Sequence, residues 1–322
     1  MRQTRVFFHN HCFDGAASAA VFTALYRHAR GEAEFSYQGL THKATGLFAD
    51  AVFSGDDNAI VDFKYSADPR VTWWFDHHQS AFLSPADAQH FQRDHSGQKF
   101  YDPGYGSCTQ FIADVGRTKF GLDPQPLADL IRWADTIDRA RFASAEAAVK
   151  IEAPALKLAL AIEGSTNPEL LRRLIPDFLR APLPELLERD YVRSDLDPLL
   201  HRHWKSLEII RARLECKQGV IAFDLSDLDM EGYNKFIPYY FCPEGVYSVG
   251  VSRSQYRMKV SVGSNPWHAG EGLVNLAELC ERYGGGGHAR VGAISFPPHE
   301  PERARAAARE VVETLRATRK TP

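Results

Sequence analysis

No stretch of the 322-residue chain approaches the ~18 consecutive apolar residues that a membrane span needs. Ahead of His9 and Asn10 the N-terminus offers only Val6-Phe7-Phe8, too short for the apolar region of a secretory signal. Cysteine is scarce: five stand at positions 12, 108, 216, 242 and 280, with no CxxC pair. The odd number and wide spacing argue against a disulfide framework or a structural zinc ribbon, and for reduced, mostly buried thiols in a cytoplasmic protein. Charge excess is lacking too. Thirty-eight basic residues meet 41 acidic ones, a net charge of −3, which excludes a large nonspecific nucleic-acid surface and leaves room only for a local basic site. There is no internal repeat and no low-complexity segment.

What is present is an ordinary globular balance, 44% hydrophobic and 25% charged, in a chain long enough for about two domains. In the first half, short apolar runs alternate with helical stretches. Arg5 to Phe8, Ala59 to Val61 and Val71 to Phe75 read as buried strands. Ala16 to Arg30, Ser107 to Val115 and Pro126 to Ala134 read as helices. This alternation predicts an α/β fold with a largely parallel sheet. From about 150 to 217 strand character is low, prolines are frequent, and several helices are expected, the last a long one around His203 to Lys217. Beyond it, 219–223, 247–251, 258–262 and 293–296 read as strands, 274–283 and 301–319 as helices. The second part is therefore expected to be a smaller mixed α/β domain.

In parallel sheets ligands sit at the carboxyl ends of the strands. The residues there are unusual. His9, Asn10, His11, Cys12, Phe13, Asp14 and Gly15 follow the first strand, Asp62 the second, and Asp76, His77 and His78 the third. Carboxylates and imidazoles converging on one rim suit divalent ions. Carboxylate favours Mg²⁺ and Mn²⁺, and imidazole tilts toward Mn²⁺, Fe²⁺, Co²⁺ or Zn²⁺. A pair of such ions ~3.5–4 Å apart can clamp a phosphoryl group. A lone Asp62 would more often be a helix cap, but three adjacent groups at Asp76-His77-His78 rarely all find structural partners.

Asp76-His77-His78 after an apolar strand resembles the signature of the DHH phosphoesterase superfamily. His9 to Gly15 with Ala16 to Ala20 resembles its first motif, Ile60-Val61-Asp62-Phe63 the second, and Asp135 within Trp133 to Asp138 the fourth. Gly284-Gly285-Gly286-Gly287-His288 resembles the glycine-rich motif of the accompanying DHHA1 domain, in the oligoribonuclease-like branch. The resemblance implies a DHH domain at 1–150, a helical linker at 151–217 and a DHHA1 substrate-binding domain at 218–322. It implies metal on His9, Asp14, Asp62, His77 and Asp135, with Cys12, His11 and Asp138 as further candidates. Asp76 would be a ligand or the partner that orients the histidines, and His78 would face the phosphate. The DHHA1 domain would close over the site and hold the substrate through Gly285, Gly286, Gly287 and His288, with Arg253 on a neighbouring strand. Asp138 competes with Asp135 for the fourth-motif role, its plainer reading being an ion pair with Arg139 or Arg141.

One departure stands out. The family usually has Asp where this chain has Cys12. A thiolate there would turn the site away from Mg²⁺; a spectator thiol would leave one metal position weak. The expected function is a divalent-metal-dependent phosphoesterase, Mn²⁺ foremost, hydrolysing short oligonucleotides or small nucleotide phosphates. Hydrolysis of pyrophosphate or polyphosphate, or a nucleotide-binding sensor without catalysis, are the alternatives. No membrane partner is expected, and a homodimer is left open.

Overall fold

The computed structural model describes residues 1–42, 46–268 and 272–318. It divides into two compact units, one of Met1–Phe142 with Ile151–Leu199, the other of Ala143–Lys150 with Leu200–Pro322. The stretch expected as a linker is thus split between them. Among the described residues no helix is long and apolar enough to cross a membrane.

The first unit is built on five parallel strands: β1 (Arg2–His9), β2 (Ala33–Leu40), β3 (Asp57–Val61), β4 (Trp73–Asp76) and β5 (Lys99–Tyr101), in the order β2-β1-β3-β4-β5. Strand order reverses at β1, which has β2 on one side and β3 on the other, so the crevice of such a sheet opens at the ends of β1 and β3. The central strands are buried on both faces, which is why they read as unbroken apolar runs. Alternate residues of β4 part company. Trp73 and Phe75 pack against Phe22 of helix α1 (Phe13–Arg30). Trp74 faces Tyr65, Phe82 and Phe91 on the other side. Each such ring taken from water is worth roughly 1.5–3 kcal/mol. Helix α1 lies close to the sheet because Ala16, Ala17, Ala19 and Ala20 are wholly buried. Its first turn is tighter still: a Cβ on Gly15 would stand 2.2 Å from the His9 carbonyl oxygen.

The second unit carries a mixed sheet of β6 (Glu215–Lys217), β7 (Val220–Asp229), β8 (Tyr247–Arg253), β9 (Met258–Ser264), β10 (Gly286–His288) and β11 (Val291–Phe296), in the order β10-β11-β9-β8-β7-β6. Only β7 and β8 run parallel. The helix Pro301–Thr318 buries Ala304, Ala308, Val311 and Leu315 in the core with Val249, Val251, Val260 and Val262. Arg319, expected to end that helix, lies outside the described residues.

Two expectations are corrected here. The long helix is Asp190–Arg213, and Glu215–Lys217, expected to close it, is instead an edge strand paired to β7. Cys216 and Cys242, expected to be reduced, form a disulfide across 26 residues; Cys12, Cys108 and Cys280 remain free. The glycine run leads into β10, which pairs along β11. A Cβ on Gly285 would meet the Ala293 carbonyl oxygen at 2.3 Å, and one on Gly287 that of Val291 at 2.2 Å, so close strand pairing accounts for those two glycines. Gly286 faces open space.

Candidate metal centre at the strand ends

Five elements of the first unit deliver the site. His9 ends β1, Asp62 follows β3, Asp76 ends β4 with His77 and His78 after it, and Asp14 lies in the first turn of α1. Asp138 comes from the last position of helix α4 (Ala128–Asp138), counting the helices Pro85–Gln92 as α2 and Cys108–Val115 as α3.

Asp62 is the centre. It is buried, its Oδ2 lies 3.4 Å from His9 Nδ1, and its Oδ1 lies 3.4 Å from His77 Nε2 and 3.8 Å from His78 Nδ1. Neither of its oxygens has a hydrogen-bond partner, nor do His9 Nδ1 and His77 Nε2. Unpaired buried polar atoms of this kind are rare and call for an account. Burial would raise the Asp62 carboxyl, yet His77 and His9 hold it down at about 2. Its backbone is left-handed, φ 56°, a conformation that Asp tolerates better than most residues.

Asp14 is fastened differently. Its Oδ2 accepts the Cys108 N–H at 2.7 Å and its Oδ1 the Thr109 N–H at 3.0 Å, so the first turn of α3 grips it. Even so, burial, and then Asp62 and Asp138, push its carboxyl well above the usual range. Asp138 Oδ2 lies 3.7 Å from His77 Nε2, and burial followed by Asp62 raises it to about 6. His77 Nδ1 donates to the Tyr105 carbonyl at 3.1 Å, which fixes the ring and turns Nε2 on the carboxylates. Burial works against its charge, but Asp62 and Asp14 prevail and hold it up at about 10. The cluster thus retains protons that a divalent cation would displace, and its oxygen and nitrogen donors suit such an ion.

Asp76 does not join any group of converging donors. Its Oδ1 accepts the N–H of His77 (2.9 Å) and of His78 (3.2 Å) and the His78 ring Nδ1–H (2.7 Å). Of the two readings left open, the structure favours the orienting one. The hydrogen bond to Asp76 is the first cause of the raised His78 pKa.

Among the described residues, the donor groups within reach of one ion are His9–Cys12–Asp62, Asp62–His77–His78 and Asp14–His77–Asp138; a fourth cluster, Cys216–Cys242–Glu244 in the second unit, has its sulfurs tied up in the disulfide. Asp135, expected as a ligand, is in none of them. It pairs with Arg139 at 3.4 Å, while Asp138, the competing candidate, faces the cluster. The two share a face of α4, about 60° apart around the axis and about 4.5 Å apart along it, and it is the last residue of the helix, Asp138, that comes within 3.7 Å of His77. His11 is likewise absent from the groups. It is exposed, left-handed at φ 54°, and lines a cavity with Tyr37 and Asn167 away from these donors.

Sequence reading missed His42. Its ring stacks on Phe63 at 4.7 Å and meets His9 edge-on at 5.0 Å. Its signal is its place, two residues past β2, but that strand alternates too weakly to be seen in the sequence. In the second unit Arg253 ends β8, and Gly286 to His288 form β10 at the sheet edge.

No protein-family model and no curated protein matches the chain. Solved structures do. Its fold is similar to that of the pGpG-specific phosphodiesterase PggH from Vibrio cholerae, with TM-score 0.70 and 18% identity over 98% of this chain and 100% of that one. A DHH domain described as belonging to a family of ribosomal proteins gives TM-score 0.58 and 14% identity over 98% of this chain and 87% of its own. RecJ from Thermus thermophilus in complex with Mn²⁺ gives 0.56 and 15%, over 97% of this chain and 52% of RecJ. At these identities the likeness is one of fold.

Proposed function

We propose, from the DHH phosphoesterase fold that this chain has, that it is a divalent-metal-dependent hydrolase of short oligonucleotides or small nucleotide phosphates. One observation carries the reading: the unpaired, buried Asp62 carboxylate between His9 and His77, with Asp14 and Asp138 beside it. His9, Asp14, Asp62, His77 and Asp138 would hold the metal, with Mn²⁺ first choice because imidazole joins the carboxylates; the similarly folded RecJ is seen with Mn²⁺ and with Mg²⁺. Bound there, divalent ions would neutralise phosphoryl charge and acidify an attacking water.

The chain's own residues would do the rest. Asp62, between the two sets of donors, would bridge. The Tyr105 carbonyl holds His77 in the tautomer that presents Nε2. Asp76 holds the His78 ring by Nδ1, leaving Nε2 to donate a hydrogen bond to a phosphoryl oxygen as negative charge builds there. In the second unit, Gly286 with its open Cα face, and His288 and Arg253, are proposed to meet the substrate's anionic part.

The name of the neighbour PggH makes pGpG the first dinucleotide to try. The test is release of mononucleotide from pGpG and from other dinucleotides by chelator-treated protein, with and without added Mn²⁺. Mn²⁺-dependent release supports the reading. Release of phosphate from polyphosphate alone would replace it with the polyphosphatase alternative. Tight nucleotide binding with no turnover under any metal would leave a sensor.

A further inference from the structure

We propose that Cys12 is a thiolate ligand, and that the position made by His9, Cys12 and Asp62 selects Zn²⁺, Co²⁺ or Fe²⁺ over Mg²⁺ and Mn²⁺. The inference rests on the metal reading above and goes beyond it: the two metal positions are chemically unequal.

The donor atoms of His9, Cys12 and Asp62 lie within 4.8 Å of one another. Metal–nitrogen and metal–sulfur bonds of about 2.0–2.3 Å place the donors of one ion at separations up to roughly twice that, so a single ion can reach all three with little movement. Two independent features aim the site at a cation. Asp62 is 2% exposed with both oxygens unpaired, and His9 Nδ1 is buried and unpaired beside it. Cys12 itself occupies the N-cap of α1, where Ser, Thr, Asp or Asn would cap more strongly than a thiol. It is also free of any disulfide. What points to a ligand role is the thiol's place beside the unpaired Asp62 and His9 donors.

The contrast with the neighbouring donors gives the selectivity. Asp14, His77 and Asp138 offer two carboxylates and one imidazole, a set that Mn²⁺ or Mg²⁺ accepts. His9, Cys12 and Asp62 offer imidazole, sulfur and carboxylate, and sulfur favours the softer ions. On binding, the Cys12 S–H bond breaks, its proton passes to water, and the sulfur lone pair forms the metal bond.

The experiment loads the full-length, chelator-treated protein with Co²⁺ and records the near-ultraviolet spectrum together with bound cobalt by elemental analysis. Wild type should show a sulfur-to-cobalt charge-transfer band, and Cys12→Ser and Cys12→Asp, checked for folding by circular dichroism, should lack it. In competition between Zn²⁺ and Mn²⁺, Cys12→Asp should lower the preference for Zn²⁺ at that position roughly tenfold or more. Bound cobalt without the band, or a band that survives both substitutions, overturns ligation by Cys12. An unchanged Zn²⁺/Mn²⁺ preference in Cys12→Asp overturns the selectivity. Failure of wild type to bind cobalt at all overturns the metal reading together with this one. Should Cys12→Asp not fold, Cys12→Ser and the wild-type spectrum still decide.

Discussion

Asp62→Asn separates the metal from the fold. Asparagine adopts the left-handed conformation that Asp62 holds at φ 56°, and the Asp62 N–H bond to the Phe75 carbonyl (2.9 Å) needs no side chain. The backbone should therefore survive. What goes is the charge proposed to bridge the two metal positions, lying 3.4 Å from His9 on one side and 3.4 Å from His77 on the other, so both should weaken together. With free Mn²⁺ at ~100 times its dissociation constant, binding to the native state stabilises wild type by about 2.7 kcal/mol. At roughly 2–4 °C per kcal/mol for a body of this size, the melting temperature should rise by about 5–10 °C. Asp62→Asn should lose nearly all of that rise. Without metal a second signature follows. The His77 pKa, raised from 6.5 to about 10 by its carboxylates, contributes stability that is present below pH 6.5 and lost as pH rises through 10. Asp62, lowered from 3.8 to about 2, contributes stability present above pH 3.8 and lost as pH falls through 2. The stability gap between metal-free wild type and variant should be widest between those windows and narrow from pH 7 to 10. Thermal unfolding with and without Mn²⁺, over that pH range, measures both. An undiminished Mn²⁺ shift in Asp62→Asn would refute the bridging role.

Asp138→Ala should weaken metal binding by roughly 10–100-fold while Asp135→Ala leaves it nearly unchanged, read by calorimetric titration; the reverse order would restore Asp135 as the ligand. In metal-free protein the raised Asp138 pKa, about 6, contributes stability present below pH 3.8 and lost as pH rises through 6, so Asp138→Asn should flatten that fall in a melting-temperature profile. Asp76→Asn should lower the His78 pKa and move the alkaline limb of the activity profile to lower pH, with substrate KM changed less than kcat; an unmoved limb denies Asp76 its orienting part. Removing the disulfide by Cys216→Ser should destabilise the second unit by roughly 3 kcal/mol on loop-entropy grounds, seen as a lower denaturant midpoint, and no change would mean that the bridge does not form in solution.

The parts legible in the sequence were those written locally. β1, β3 and β4 are buried on both faces, so their apolar runs stand out. The residues after them follow from the rule that parallel sheets bind ligands at carboxyl ends. β2 and β5 were not seen, because edge strands keep one side partly exposed and carry no such run. With β2 went His42. The choice between Asp135 and Asp138, one turn apart on one face of α4, turns on how far along the helix His77 lies, and that is fixed by packing against α1 and α3 rather than by any neighbour in sequence. The grip of α3 on Asp14 joins residues 94 and 95 positions apart. Cys216 and Cys242 gave no spacing signal, and their meeting depends on β6 folding back on β7.

The contact between Gly15 and the His9 carbonyl has a kinetic consequence. The segment from His9 to Asp14 is anchored at one end in β1 and at the other by the α3 backbone, with no room between strand and helix for even a methyl group. A loop so pinned cannot open widely to admit an ion and close again. Loading should therefore resemble filling a rigid socket: a rate proportional to cation concentration, without the plateau that a slow opening step imposes. Loosening the pin, by removing the Thr109 hydroxyl that bonds the Asp14 carbonyl, should speed release of the ion more than its capture.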